Sequence, residues 1–157
     1  MDEPAQVEVL LTLRRAEEIE ARLAFAEARR LLDEAERAGN DARHAAREAQ
    51  ERVDGAAARQ QELASSGATA ASLQRGQAYL ARCRQARDQG VAEARAAAIR
   101  VEGAGLEVER ARRLLEETLR RREAAEREQE RHRRRHAQGR ERREQAFADD
   151  LARGRGR

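Results

Sequence analysis

The chain has 157 residues, of which 33 are basic and 30 acidic, and because it contains no lysine every basic residue is arginine. Ala (35), Arg (33), Glu (23) and Leu (14) fill 105 positions, about two-thirds of the chain, where roughly half already suggests a long helix or coiled coil. Leu, Ile, Val and Phe supply only 24 residues, too few for the core of a globular enzyme, while the net charge of +3 and the single proline argue against a disordered chain.

Asp2 can cap a first helix whose opening turn contains Pro4, a position where the missing N–H does no harm. Helix 1 is therefore expected from about residue 4 to 62. Within it Ala28, Leu31, Ala35, Ala38, Ala42, Ala45 and Ala49 alternate at three and four and predict a seam of small residues. Gly39-Asn40 followed by Asp41 could instead end one helix and cap another, giving a three-helix bundle. The seam crosses that point without a change of phase, so Gly39 reads as a weak point in one helix.

Ser, Gly and Thr cluster only in Leu63, Ala64, Ser65, Ser66, Gly67, Ala68 and Thr69, where a helix stop is followed by a new N-cap. The turn is placed at about 63–69. Helix 2 is expected at about 70–152, with 153–157 frayed. At about 1.5 Å per residue the helices would be roughly 90 and 120 Å long. In helix 2 Leu73, Leu80, Arg87, Ala94, Val101, Val108 and Leu115 recur every seven, interleaved with Gly76, Cys83, Gly90, Ala97, Ala104 and Ala111. The expected fold is all-α, one long antiparallel two-helix coiled-coil hairpin, its small residues letting the backbones approach closely. Glycines 55, 76, 90, 103 and 105 would each soften a helix by about 1 kcal/mol relative to alanine.

Pairing about Gly67 sets residue 7 opposite residue 127, so helix 2 is expected to overhang. From Arg120 to Gln145 the apolar residues are Ala124, Ala125 and Ala137, and this stretch is read as a free-standing charged helix unable to bury a face. Glu116–Arg120, Glu117–Arg121, Glu123–Arg127 and Glu130–Arg134 would brace it four residues apart, at a few tenths of a kcal/mol each. Phe147 and Leu151 restore an apolar face near the end.

Catalytic chemistry finds no foothold. His132 and His136 stand four apart, but the Glu of HExxH is replaced by Arg133, and Arg131, Arg134 and Arg135 oppose a divalent cation. The pair reads as a solvated face, with no metal and no cofactor. Cys83 lies on the seam without a neighbouring His and reads as packing; as the single cysteine it fits a reducing compartment. No phosphate-cradling glycine loop occurs. The opening MDEPAQVEVLLTLRR lacks the basic and apolar regions of an export signal, and no run reaches the roughly 20 apolar residues of a membrane span. Residues 131–157 hold ten Arg against four acids, which would attract phosphate, but three aromatics are too few for a base-stacking surface.

The run Gly67, Ala68, Thr69, Ala70, Ala71, Ser72, Leu73, then Tyr79-Leu80-Ala81-Arg82-Cys83, Ala86 and Gln89 resembles the post-turn segment of the central-stalk family of type III secretion systems, the FliJ and YscO type. The tail Glu144-Gln145-Ala146-Phe147-Ala148-Asp149-Asp150-Leu151-Ala152-Arg153 is similar to that family's closing pattern. The resemblance implies a non-enzymatic cytoplasmic protein, peripheral to the inner-membrane export apparatus. It would stand in the pore of the hexameric export ATPase, link it to the cytoplasmic domain of the export gate, and bind secretion chaperones, with no small-molecule substrate. Carried over by position, Tyr79, Leu80, Cys83 and Ala86 would face the gate, although Leu80 and Cys83 also lie on the seam. Glu144, Gln145, Asp150 and Leu151 would face the ATPase, and we add Phe147 and the exchangeable charges Arg131, Arg133, Arg134 and Arg135. Opposite Tyr79, helix 1 offers Ala49, Arg52 and Ala56 where flagellar members carry larger groups, which tilts the resemblance toward an injectisome. The alternative from composition alone is a generic coiled-coil scaffold or a basic, nucleic-acid-associated helical protein.

Overall fold

The structure, a computed structural model, describes residues 3–154, with side chains from residue 6 onward. Two helices, α1 (Glu3–Ser65) and α2 (Ala70–Gly154), pack against each other, and there is no strand among the described residues. The expected cap Asp2 and residues 155–157 lie outside the described residues. α1 runs unbroken through Gly39, Asn40 and Asp41, so the three-helix alternative is not formed. The chain divides into two compact units, one of residues 26–110 and one in which the segment ending at Phe25 combines with that beginning at Ala111.

In the 26–110 unit the reversal is tighter than expected, since α1 continues to Ser65. Gly67 adopts φ 72°, the left-handed conformation that glycine alone takes without strain, and the Ala68 N–H donates to the Leu63 carbonyl at 3.2 Å. This is the six-to-one closure of a glycine-ended helix. Thr69 Oγ1 accepts from the Ser72 N–H at 3.3 Å and so caps α2.

The seam of this unit on α2 is the expected one, from Leu73, Gly76, Leu80 and Cys83 through Ala97 to Val108. On α1 three of the seven expected positions move by one residue. Ala28, Ala35, Ala42 and Ala49 face inward, but their partners are Leu32, Gly39 and Ala46, while Leu31 is exposed. Both choices alternate at three and four, and the doublets Leu31-Leu32 and Ala45-Ala46 are apolar in either phase. Gly39 is therefore part of the interface: a Cβ there would lie 3.3 Å from Val101 Cγ2. At Gly90 an added Cβ would sit 3.4 Å from Ala46 Cα, which measures how closely the two backbones approach. Val53, Ala56, Leu80 and Cys83 form a buried apolar cluster. Nearer the turn, Gln60 Nε2 donates to the Leu73 carbonyl at 3.1 Å, and its Oε1 occupies the space a side chain at Gly76 would take.

The other unit corrects the reading of the charged segment. On α1 the inward positions are Val7, Leu11, Arg14, Glu18, Ala21 and Phe25, again at four and three. On α2 the spacing continues past Ala111 and Leu115 through Thr118, Arg122, Ala125, Gln129 and His132. Residues 120–132 thus do bury a face, although it is mostly polar; long side chains cover the interface with their aliphatic stems and keep their heads hydrated. Val7 and Glu8 share a groove with His132, Arg133, His136 and Arg140, so the part of α2 without a neighbour among the described residues begins near residue 141 instead of 128. Arg153 and Gly154, expected to fray, are helical. Ala146, Ala148 and Ala152 favour the helix, and Arg153 in the last turn suits its negative end.

Candidate functional site

The residues that the resemblance directs to an export gate fall on two faces of α2. Leu80 and Cys83 are buried against Val53 and Ala56 and serve packing. Tyr79 and Ala86, seven apart, are exposed together, with the Arg82 guanidinium 6.0 Å from the centre of the Tyr79 ring. At that distance the cation reaches the electron-rich ring face at the limit of useful attraction, so Tyr79 and Arg82 form one exposed aromatic–cationic spot. Ala49 and Ala56 of α1 are buried and Arg52 is exposed.

The residues directed to the ATPase are all exposed: Arg131, Arg133, Arg134, Arg135, Glu144, Gln145, Phe147, Asp150 and Leu151. They form two groups. Arg131 pairs with Glu128 at 2.6 Å, and Arg134 Nε donates to Glu130 Oε1 at 2.8 Å. Arg133 borders the groove beside Val7 and Glu8, and Arg135 borders a second groove with His136, Gly139 and Arg143. Phe147 (67% exposed) and Leu151 (52%) lie one turn apart on the unpaired end of α2, the second group. Such side chains leave water only when something else covers them.

Of the expected bracing pairs, Glu117–Arg121, Glu123–Arg127 and Glu130–Arg134 are present, whereas Glu116 turns back to Arg112 at 3.7 Å. All are exposed on both sides, which limits each to about 0–1 kcal/mol. On α1 the Glu27 carboxyl is held below the usual carboxylate range by its hydrogen bonds from Arg30, whose own ionisation is pushed up in return.

Sequence reasoning missed the buried ion pair at Glu18. Only 5% of this residue is exposed, and its two oxygens meet Arg22 at 2.5 Å and Arg122 at 3.0 Å. The Arg122 N–H is not aligned for a hydrogen bond, so that contact is chiefly ionic. Arg122 and Arg15 each also come within 3.9 Å of Glu126. Counting back by sevens from Leu32 through Phe25 reaches Glu18, but the same count from Leu31 reaches Glu17, so the sequence held the signal only in an ambiguous phase. A charged pair at an inward position fixes the register of two helices more sharply than alanine can, at some expense in stability.

His132 is not on a solvated face. Its side chain is 13% exposed at an inward position and its Nε2 lies 3.4 Å from Glu128 Oε1. Among the described residues no three His, Cys, Asp or Glu side chains come together to hold a metal ion, and no helix is long and apolar enough to cross a membrane. Two further shallow troughs lie over the small-residue seam, one of them bordered by His44, Ala46, Val91 and Ala98. Comparison of the chain with protein-family models, with curated proteins and with solved structures found no match.

Proposed function

We propose that the chain is a non-enzymatic stalk or adaptor of a type III secretion system, which inserts into the hexameric export ATPase and links it to the export gate. The observation that carries this reading is the unpaired end of α2. From residue 141 to 154 every position is exposed, and there the apolar pair Phe147 and Leu151 stands among Glu144, Gln145 and Asp150. A helix with an uncovered apolar spot and no neighbour among the described residues is suited to engage another protein. The arginines of residues 131–135 add charges that exchange partners at little cost, since exposed ion pairs are weak. Tyr79, Arg82 and Ala86 supply a separate exposed spot for the gate, and chaperone binding would use the same kind of surface.

The test is co-purification with the type III export ATPase of the same organism, with ATP turnover recorded with and without the chain. A complex of six ATPase subunits with one stalk and raised turnover is expected. Replacing Arg131, Arg133, Arg134 and Arg135 by Gln should weaken the complex several-fold and flatten its dependence on salt. Absence of binding across a range of salt would return the protein to the scaffold class, and a shift in the mobility of nucleic acid would favour the basic-helix alternative.

A further inference from the structure

The first part of α1 is apolar on two opposite faces. Leu11, Ala21 and Phe25 turn inward, but Val9, Thr12, Ala16, Ile19 and Leu23 follow one another at three, four, three and four along the outer face. Val9 is 58% exposed, Ile19 59% and Leu23 65%, with Leu13 at 53% on their flank. A helix apolar all round is normally covered all round, and surface apolar residues are unremarkable only when scattered singly.

We propose that residues 9–23 form a seam for a second copy of this chain, the two outer faces packing in parallel. The flanking charges select both the partner and its direction. On the seam spacing, Arg15 and Arg22 occupy one flank and Leu13 and Glu20 the other. All three charged residues are exposed, and Glu20 enters no ion pair among the described residues. In a parallel pair each flank meets the opposite flank of its neighbour, so Arg15 of one copy comes beside Glu20 of the other, five residues further on, and the reciprocal contact repeats it. In an antiparallel pair like flanks meet, and Arg15 and Arg22 face arginines. A second copy thus provides at once the matching apolar stripe and the matching charge, as a two-fold interface requires. The present contacts of Arg15 to Glu126 at 3.9 Å and of Arg22 to Glu18 at 2.5 Å leave the two side chains 60% and 62% exposed, free to accept a further partner.

The patch is small. Four large apolar side chains, each a little over half exposed, present about 400–500 Å² per copy, so a pair would bury about 1,000 Å², at the low end for a specific interface. The dimer is therefore weak and dependent on concentration. This inference stands apart from the stalk reading and is tested without any secretion component.

Sedimentation equilibrium of the full chain from 5 to 500 µM, both round values bracketing roughly the range of a weak interface, should show reversible dimerisation. The double variant Ile19→Glu, Leu23→Glu should raise the dissociation constant at least tenfold while its helical circular dichroism stays that of the parent. Arg15→Glu alone should weaken the dimer, and Arg15→Glu with Glu20→Arg should restore it. Direction is read by oxidising Val9→Cys in a Cys83→Ala background, where a disulfide between the two copies of position 9 is expected. A chain monomeric throughout, association indifferent to Ile19→Glu and Leu23→Glu, or cross-linking of Val9→Cys to Leu23→Cys in place of itself would each overturn the proposal.

Discussion

The two units solve the same packing problem with different materials. The 26–110 unit holds its helices together with alanine, glycine and a few larger apolar groups, and its backbones come close enough that a Cβ at Gly90 would touch Ala46 Cα. The other unit replaces much of that seam with Thr118, Arg122, Gln129 and His132 opposite Leu11, Arg14 and Glu18. Small residues give a close, weakly specified contact, because one alanine resembles the next and sliding costs little. Charged residues give a looser contact that tolerates one alignment, because a buried carboxylate without its arginine is heavily penalised. Adhesion is concentrated in one unit and register in the other.

This contrast can be broken by substitution. The largest effect is expected from Glu18→Ala, which removes the carboxylate shared by Arg22 and Arg122, leaves Arg122 its longer contact with Glu126 at 3.9 Å, and should lower stability by about 2–3 kcal/mol; Glu18→Leu with Arg122→Leu should recover most of it. Urea unfolding followed by circular dichroism checks both, and equal losses for the single and double variants would show that the pair does not act as a pair. Next comes Leu80→Ala in the Val53, Ala56 and Cys83 cluster, expected to cost about 2 kcal/mol, at the low end for a buried leucine because the cluster is shallow. Hydrogen exchange should localise the first loss to the unit of Glu18 and the second to residues 26–110. Gly67→Ala should cost about 1 kcal/mol through its left-handed backbone, read from the shift in thermal midpoint.

The smallest effect is one of pH. The folded-state ionisation of Glu27 is lowered by Arg30, so its contribution is fully present above the unfolded-state value and is lost as pH falls through the folded one. Both groups are exposed, so the change should be slight. Carboxyl resonances followed by NMR through the acid range should place the Glu27 midpoint below the ordinary glutamate range, and Arg30→Gln should return it there.

What the sequence disclosed depended on the contrast between neighbouring residue types. The α2 seam from Leu73 to Leu115 was legible because large and small residues alternate every seven and charged residues and glutamines together fill more than half of the intervening positions. On α1 the phase was ambiguous, since Leu31 and Leu32, or Ala45 and Ala46, serve either alternation equally in apolar content; only Val101 lying against Gly39 decides it. The polar seam beyond Leu115 escaped a search for apolar periodicity because its members are Thr, Arg, Gln and His. Their three-four spacing was visible only by continuing the frame set upstream. The same reason hid Glu18. The division of Tyr79 and Ala86 from Leu80 and Cys83 was readable from the seam, because positions beside a correctly phased stripe are exposed by geometry alone.

The single thiol of the chain sits in the buried apolar cluster of the 26–110 unit. Cys83 is 8% exposed and closed in by Val53, Ala56 and Leu80. A reagent that modifies thiols can reach it only while the two helices part around it, so the rate of labelling measures how often they do. The wild-type chain thus carries its own breathing gauge, one that needs no introduced probe. Compared before and after a partner binds elsewhere, it would tell whether grip on the far end of α2 is felt as a tightening near the turn.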